Sequence, residues 1–280
     1  KYMSLGLKYK NNEQIFVERQ RGGVPYLSYP LLENTGIVNH GFSTRLGGVS
    51  TGCFSSMNIS LTRGDDPEAV KKNRELIAQA IGVDVTDFTY TQQTHTTNVK
   101  RVYARERGQS FPETDGMITD VPGICLVTSY ADCVPLYFVD PVKKVIGLSH
   151  SGWRGTVGKI GKVTVEKMEE EFGCDPADIL GAVGPSICQD CYEVSEDVIK
   201  KFRENYDENL WPEIFYQKEN GKYQLNLWKA NESVFLESGI LPEHIAVTNV
   251  CTHCNPDILF SHRTTGNERG TLSAFLALKK

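Results

Sequence analysis

Three β-rich runs, Ile124 to Ser129, Val134 to Val139 and Lys144 to Leu148, follow one another directly, and a fourth, Phe88 to Thr91, precedes them. Strands that succeed each other without intervening helices do not build a doubly wound parallel sheet; they favour an α+β arrangement in layers. Helical patterns lie outside this block. Asp66-Pro67-Glu68 opens one, with Asp as N-cap and Pro at the first helical position. Val70, Ile77, Ala80 and Ile81 give it an apolar face, and Gly82 ends it. A second helix is expected from about Thr156 to Phe172, a third after Ser195, and a fourth over Leu227 to Ser238. Ile179 to Val183, Ile245 to Val250 and Leu272 to Leu278 read as further strands. No Pro/Gly/Ser-rich linker and no internal repeat divides the 280 residues, so one domain over 1–280 is expected.

Function classes narrow by exclusion. The 30 basic and 35 acidic side chains give a net charge of −5, which argues against a nucleic-acid binder relying on phosphate-backbone contacts. No apolar run approaches the roughly 18–20 residues that span a bilayer. Lys1-Tyr2-Met3 begins no apolar signal core, and Met3 is expected near the natural start. The expected compartment is the cytoplasm, so the eight cysteines read as free thiols or metal ligands rather than disulfides. GxGxxG and Walker motifs are absent, which removes the main support for dinucleotide and nucleotide-triphosphate readings. No obligate protein partner is evident.

Of six histidines, His95 and His150 stand at expected strand ends, with Cys133 between them. Two imidazoles and a thiolate suit Zn²⁺, and three protein ligands leave a fourth position open for catalysis. The spacing alone is weak evidence and favours a buried cysteine and two hydrogen-bonded histidines. His150-Ser151-Gly152-Trp153-Arg154-Gly155 adds two glycines, an arginine and a following helix start, a combination that can hold an anion. It can also be a tight turn with a surface arginine. Phe42 to Ser50, containing Arg45, Gly47 and Gly48, is a second loop of this double character. Arg263 and Arg269 are further basic groups, whose default reading is surface solvation. Cys188-x-x-Cys191 and Cys251-x-x-Cys254 are separated by 59 residues, far more than in a zinc ribbon. Partly buried thiols are the favoured reading over a shared four-cysteine site.

Taken in order, the motifs converge. Gln93-Thr94-His95, Thr114-Asp115-Gly116, Ala131-Asp132-Cys133-Val134-Pro135 and His150-Ser151-Gly152-Trp153-Arg154-Gly155 are followed by Gly184-Pro185-Ser186-Ile187. Cys191-Tyr192-Glu193-Val194, Cys251-Thr252 and Phe260-Ser261-His262-Arg263 complete the set. From about Gly41 to Leu278 the chain resembles the purine nucleoside phosphorylase family of the YlmD/YfiH type, formerly labelled multicopper polyphenol oxidoreductase or laccase domain. The resemblance implies an α/β/β/α sandwich and zinc on His95, Cys133 and His150. It implies phosphorolysis of adenosine, inosine, guanosine and methylthioadenosine, and deamination of adenosine. Arg45, Arg154 and Arg263 fall in its motifs as candidates to hold phosphate. Ser151 stands where alanine is common and His262 where tyrosine is common.

Asp132, beside a ligand, is the candidate proton donor; its alternative role is to orient a ligand histidine. Three rivals remain at this stage. Cys133 could be the nucleophile of a cysteine hydrolase or deamidase, with His150 as base. A multicopper oxidase would need many imidazoles, usually as His-x-His, which this sequence lacks; a single Cu²⁺ captured in vitro is easier to accommodate. A non-catalytic protein could keep the metal for stability alone.

Overall fold

The computed structural model describes residues 4–280; Lys1 to Met3, and with them the expected start at Met3, lie outside the described residues. The three consecutive runs become strands Cys125–Tyr130, Val134–Asp140 and Val145–Ser151. They do not share one sheet. Cys125–Tyr130 lies in a seven-stranded sheet between Leu272–Leu278 and Phe88–Thr91. Val134–Asp140 and Val145–Ser151 pair in a six-stranded sheet, flanked by Leu180–Val183 and Gly116–Thr119. The turn 131–133 therefore carries the chain from one sheet to the other.

Side-chain alternation explains how both sheets bury both faces. Along Val134–Asp140, Val134, Leu136 and Phe138 face one cluster, while Tyr137 and Val139 face another. Along Leu272–Leu278, Leu276 and Ala274 meet Tyr137 between the sheets, while Phe275 and Ala277 point the other way. That outer face is covered by helix Pro67–Ile81 through Ile77 and Ile81. The far face of the six-stranded sheet is covered by Ile160–Phe172 and Leu227–Glu237 through Val165, Val234 and Phe235. The layers are α/β/β/α, as the resemblance implies. Phe138 and Phe235 meet edge-on at 5.3 Å between the last two layers; truncating such a residue typically costs about 3–5 kcal/mol. No helix among the described residues is long and apolar enough to cross a membrane.

The Asp66 cap forms as expected: its carboxylate accepts from the Glu68 N–H, and Gly82 closes the helix at φ 85°. Two boundaries differ. The helix expected from Thr156 starts at Trp153, then breaks at Gly158 and at Lys159 (φ 57°) before resuming at Ile160. Its first piece, Trp153–Val157, is only five residues long. The strand expected over Ile245 to Val250 ends at Val247. The chain then turns, with the Thr248 N–H donating to Val183 O. A three-stranded sheet of Glu193–Val194, Tyr223–Leu225 and Phe215–Gln217, not anticipated from the sequence, sits after the first Cys-x-x-Cys pair.

Candidate metal centre

His95, Cys133 and His150 converge where the chain passes between the sheets. One ligand atom from each lies within 4.8 Å of the others. Cys133 occupies the crossing turn. His95 lies in the loop that leaves the seven-stranded sheet at Thr91 and enters the six-stranded one at Val99. His150 is near the end of Val145–Ser151. Gln93 latches the His95 loop to the first sheet: its amide donates to Ser129 O and accepts from the Ser129 N–H, both at 2.8 Å. His95 at φ 63° and Asp132 at φ 102° hold left-handed conformations, which for a non-glycine residue cost about 1–3 kcal/mol each. Strain of this kind persists where the surroundings fix the geometry, and here it falls on His95 itself and on the neighbour of Cys133.

The residue that organises the site is Asp115, which the sequence marks only as part of a turn signal and a family motif. It is fully buried. One oxygen accepts from the Thr94 and Thr96 N–H groups at 3.1 and 3.0 Å and from the Thr96 hydroxyl at 2.9 Å. The other accepts from the His95 N–H at 3.1 Å and meets His150 Nδ1 at 2.8 Å. Burial alone would raise this carboxyl, but the bonds from His150, Thr96 and Thr94 hold it down at about 2. Burial likewise works against a charged His150, yet the Cys133 charge and the Asp115 bond lift the imidazole to about 9. Burial and the neighbouring His150 lower His95. Asp115 and Cys133 thus set negative charge on two sides of the buried His150 ring. The alternative role weighed for Asp132, holding a histidine of this group in orientation, is taken by Asp115.

Gly152 explains part of the His150–Gly155 motif. A Cβ at this position would stand 2.8 Å from His95 Nδ1 and 3.2 Å from Cys133 Sγ. Only glycine lets the chain pass these two side chains this closely. Ser151 is buried, with its hydroxyl 2.9 Å from both Thr156 Oγ1 and Asn231 Oδ1, so the departure from alanine is accommodated.

Both oxygens of Asp132 are engaged. Thr252 Oγ1 donates to one at 2.7 Å and the Arg263 N–H to the other at 2.7 Å. Arg154 is exposed, stacked over Trp153 at 4.4 Å, and close enough for its charge to act on His95 and Tyr192. Arg263 lies 5.2 Å over the Tyr192 ring and donates to Glu193 O. Tyr192 also feels Cys133 and Asp132, so these two arginines border the centre. Arg45 is differently employed. Its Nε and Nη1 donate to Ser55 O and Pro256 O, and its guanidinium covers Phe260 at 4.5 Å. It lines a cavity of about 260 Å³ together with Ser261, Glu268 and Arg269. Arg269, expected at the surface, is half-buried; burial and the nearby Arg63 bring it down to about 10. The Nε of Arg269 and that of Arg63 are buried without a hydrogen-bond partner. His262 is exposed in the short helix His262–Thr265.

The two Cys-x-x-Cys pairs are not independent. Cys188, Cys191, Cys251 and Cys254 are buried or half-buried free thiols, and all four sulfurs meet within 4.8 Å of one another, so the two pairs share one place despite the 59 residues between them.

Residues 39–279 match the family described as multi-copper polyphenol oxidoreductase laccase. The purine nucleoside phosphorylase YlmD of Bacillus subtilis (strain 168) is 36% identical over 256 residues, covering 89% of this chain and 91% of that protein. The adenosine deaminase RL5, from an unknown prokaryotic organism, is 34% identical, covering 82% of this chain and 90% of its own. The crystal structure of YlmD from Geobacillus stearothermophilus superposes with a TM-score of 0.89 at 32% identity, over 95% of this chain and 99% of that one.

Proposed function

The chain belongs to the multi-copper polyphenol oxidoreductase laccase family, and from that premise we propose that it is a zinc-dependent purine nucleoside phosphorylase that also deaminates adenosine. The observation that carries the reading is the convergence of His95, Cys133 and His150 beside Arg154 and Arg263. The donor set fits zinc: two imidazoles, one thiolate, and a carboxylate behind one imidazole to fix its tautomer. When bound, the ion supplies Lewis acidity and one open position. Six histidines without a His-x-His pair give no basis for a multicopper centre; Cu²⁺ is read as a competitor for this one site.

The chain's own residues do the rest. Asp115 keeps the Nδ1 side of His150 occupied and turns the other ring nitrogen toward Cys133. Arg154 and Arg263 attract phosphate and hold it against C1′ of the ribose by charge and orientation. Arg269, with its unpaired Nε, is a further candidate for that task, ahead of Arg45, whose guanidinium already clamps two carbonyls. Phosphorolysis then breaks the C1′–N9 bond, giving ribose 1-phosphate and the free base. Deamination replaces the amino group at C6 with oxygen from water and releases ammonia. The expectation that Asp132 supplies the proton gives way to a positioning role: with both oxygens accepting, it holds the Thr252 and Arg263 segments against the Cys133 turn. The substrates are adenosine, inosine, guanosine and methylthioadenosine, with phosphate. The enzyme acts as one catalytic domain, without an obligate partner, in the cytoplasm, where its eight cysteines stay reduced.

One observation keeps a second reading alive. Asp115, His150 and Cys133 form a carboxylate–imidazole–thiol series, the arrangement of a cysteine hydrolase or deamidase. Product analysis separates the two. Adenosine incubated with the purified protein should give adenine and ribose 1-phosphate only when phosphate is present, and inosine with or without it. No product from any of the four nucleosides with zinc-loaded protein would overturn the phosphorylase reading in favour of the hydrolase.

A further inference from the structure

The second cysteine cluster lies outside the chemistry above. Its geometry follows from the fold. Leu180–Val183 and Ile245–Val247 are parallel neighbours, with Val183 opposite Val247. Parallel strands deliver the loops that follow them to the same edge of a sheet. Ser186 and Cys251 continue the pairing as an isolated parallel bridge, and the Thr252 N–H donates to Ser186 O at 3.2 Å. Each loop then turns through its Cys-x-x-Cys. The first closes with the Cys191 N–H on Cys188 O at 3.1 Å. In the second, the Cys254 N–H points to Cys251 Sγ at 3.4 Å.

We propose that Cys188, Cys191, Cys251 and Cys254 bind a single structural Zn²⁺ that ties these two loops together beside the catalytic centre. Tetrahedral zinc with bonds of about 2.3 Å places its sulfurs about 3.8 Å apart. All four sulfurs here lie within 4.8 Å of one another, and Cys191 Sγ is 3.5 Å from Cys254 Sγ. Disulfides would join sulfurs in pairs and give no reason for two pairs to share one centre. An iron–sulfur cluster binds its thiolates to different irons and needs a wider cage than this. Backbone N–H groups of Cys188 and Cys254 both point at Cys251 Sγ, at 3.2 and 3.4 Å, as suits a charged sulfur. Two cysteines are buried and two half-buried, with no fifth His, Cys, Asp or Glu in the group among the described residues. Four thiols bind Zn²⁺ with release of four protons, leaving a doubly negative centre. Lys10, paired with Asp190 at 3.0 Å, stands close enough to Cys188 and Cys254 for their charges to act on it.

The position gives the site its purpose. Thr252 follows Cys251 directly and donates to Asp132, the neighbour of Cys133. Tyr192 follows Cys191 and lies under Arg263. Zinc at this point fixes the segments that carry both contacts.

Metal content tests the proposal independently of turnover. Wild-type protein purified with zinc should carry two ions per chain, and Cys133→Ala protein one. The Cys191→Ser/Cys254→Ser double variant should also drop to one ion. Cobalt(II) in Cys133→Ala protein should give a strong thiolate charge-transfer absorption, which needs no folded double variant. A wild-type count of one ion that falls to zero with Cys133→Ala would overturn the proposal. So would an intact mass showing disulfides at these cysteines, or labile sulfide in anaerobically purified protein.

Discussion

Side chains able to hold a metal ion gather at two places in the protein, and the two are built differently. At the first, one histidine and a cysteine arrive on two connections between sheets and the second histidine on strand Val145–Ser151, with one of the three exposed and arginines around them. At the second, four cysteines arrive on two short loops, and backbone N–H groups cover a sulfur. Three ligands leave a position open and expose the ion to substrate; four close it off. The first site also carries backbone strain at His95 and Asp132, whereas none of the four cysteines has positive φ. Strain gathered around one centre and not the other is what a catalytic and a structural site would show.

The sharpest way to break this contrast is to remove a ligand from each. Cys133→Ala should lower phosphorolysis by about 10³-fold or more, several kcal/mol of barrier, with the fold retained. Cys191→Ser/Cys254→Ser should lower the Tm instead, with turnover of the folded fraction reduced less than about 10-fold. Initial rates and thermal melts on both variants decide; the opposite pattern would exchange the two roles.

Acid provides a background that both centres must be read against. His40 is buried away from either group, and its Nε2 accepts from the Tyr29 N–H at 2.8 Å. Burial depresses it from 6.5 to about 4, against the opposing charge of Glu33. Between those values the unfolded chain binds the proton and the folded chain does not. Its stability contribution is therefore present above about pH 6.5 and lost as pH falls toward 4, by up to about 3 kcal/mol. Urea melts from pH 7 to pH 4 on the wild type and His40→Gln should show a shallower slope in the variant. An identical slope would remove His40 from the account.

Smaller changes probe how the open centre is held. Gly152→Ala drives a methyl group against His95 and Cys133. It should cost about 10²-fold in turnover through lost positioning, leaving the four-cysteine ion in place by metal analysis. Asp115→Asn should weaken zinc at the first centre by about 10–100-fold in chelator competition. Unchanged affinity would mean that the His95 loop is fixed without the carboxylate. Arg154→Ala should raise the phosphate KM by about 10-fold, the loss of one charge-assisted contact, with less effect on deamination. Equal losses in both reactions would make Arg154 structural.

Sequence patterns locate the central strands and the Asp66-capped helix because each is a local signal: alternation, a cap, a stop. They miss Val17–Arg21, which is polar and half-exposed, the buried strands Val24–Ser28, Val38–Ser43 and Gly116–Thr119, and the three-stranded sheet, whose strands are two or three residues long. The grouping of His95, Cys133 and His150 is legible because few residue types make such a set and the family motifs fix their order. Asp115 is not, because a buried carboxylate and a turn-forming Asp look alike in sequence. The two cysteine pairs stand 59 residues apart, far more than in a zinc ribbon. Their meeting depends on the parallel pairing of Leu180–Val183 with Ile245–Val247, and linear spacing carries no record of which strands lie side by side.

The central claim is that turnover belongs to the three-ligand centre, and the most direct measurement is phosphate-dependent adenosine cleavage plotted against zinc per chain during stepwise chelation. The open centre should empty first. Turnover should fall to background as the count drops from two to one, and should return when one equivalent of zinc is restored. Cleavage that continues undiminished after the first ion has left would contradict the account.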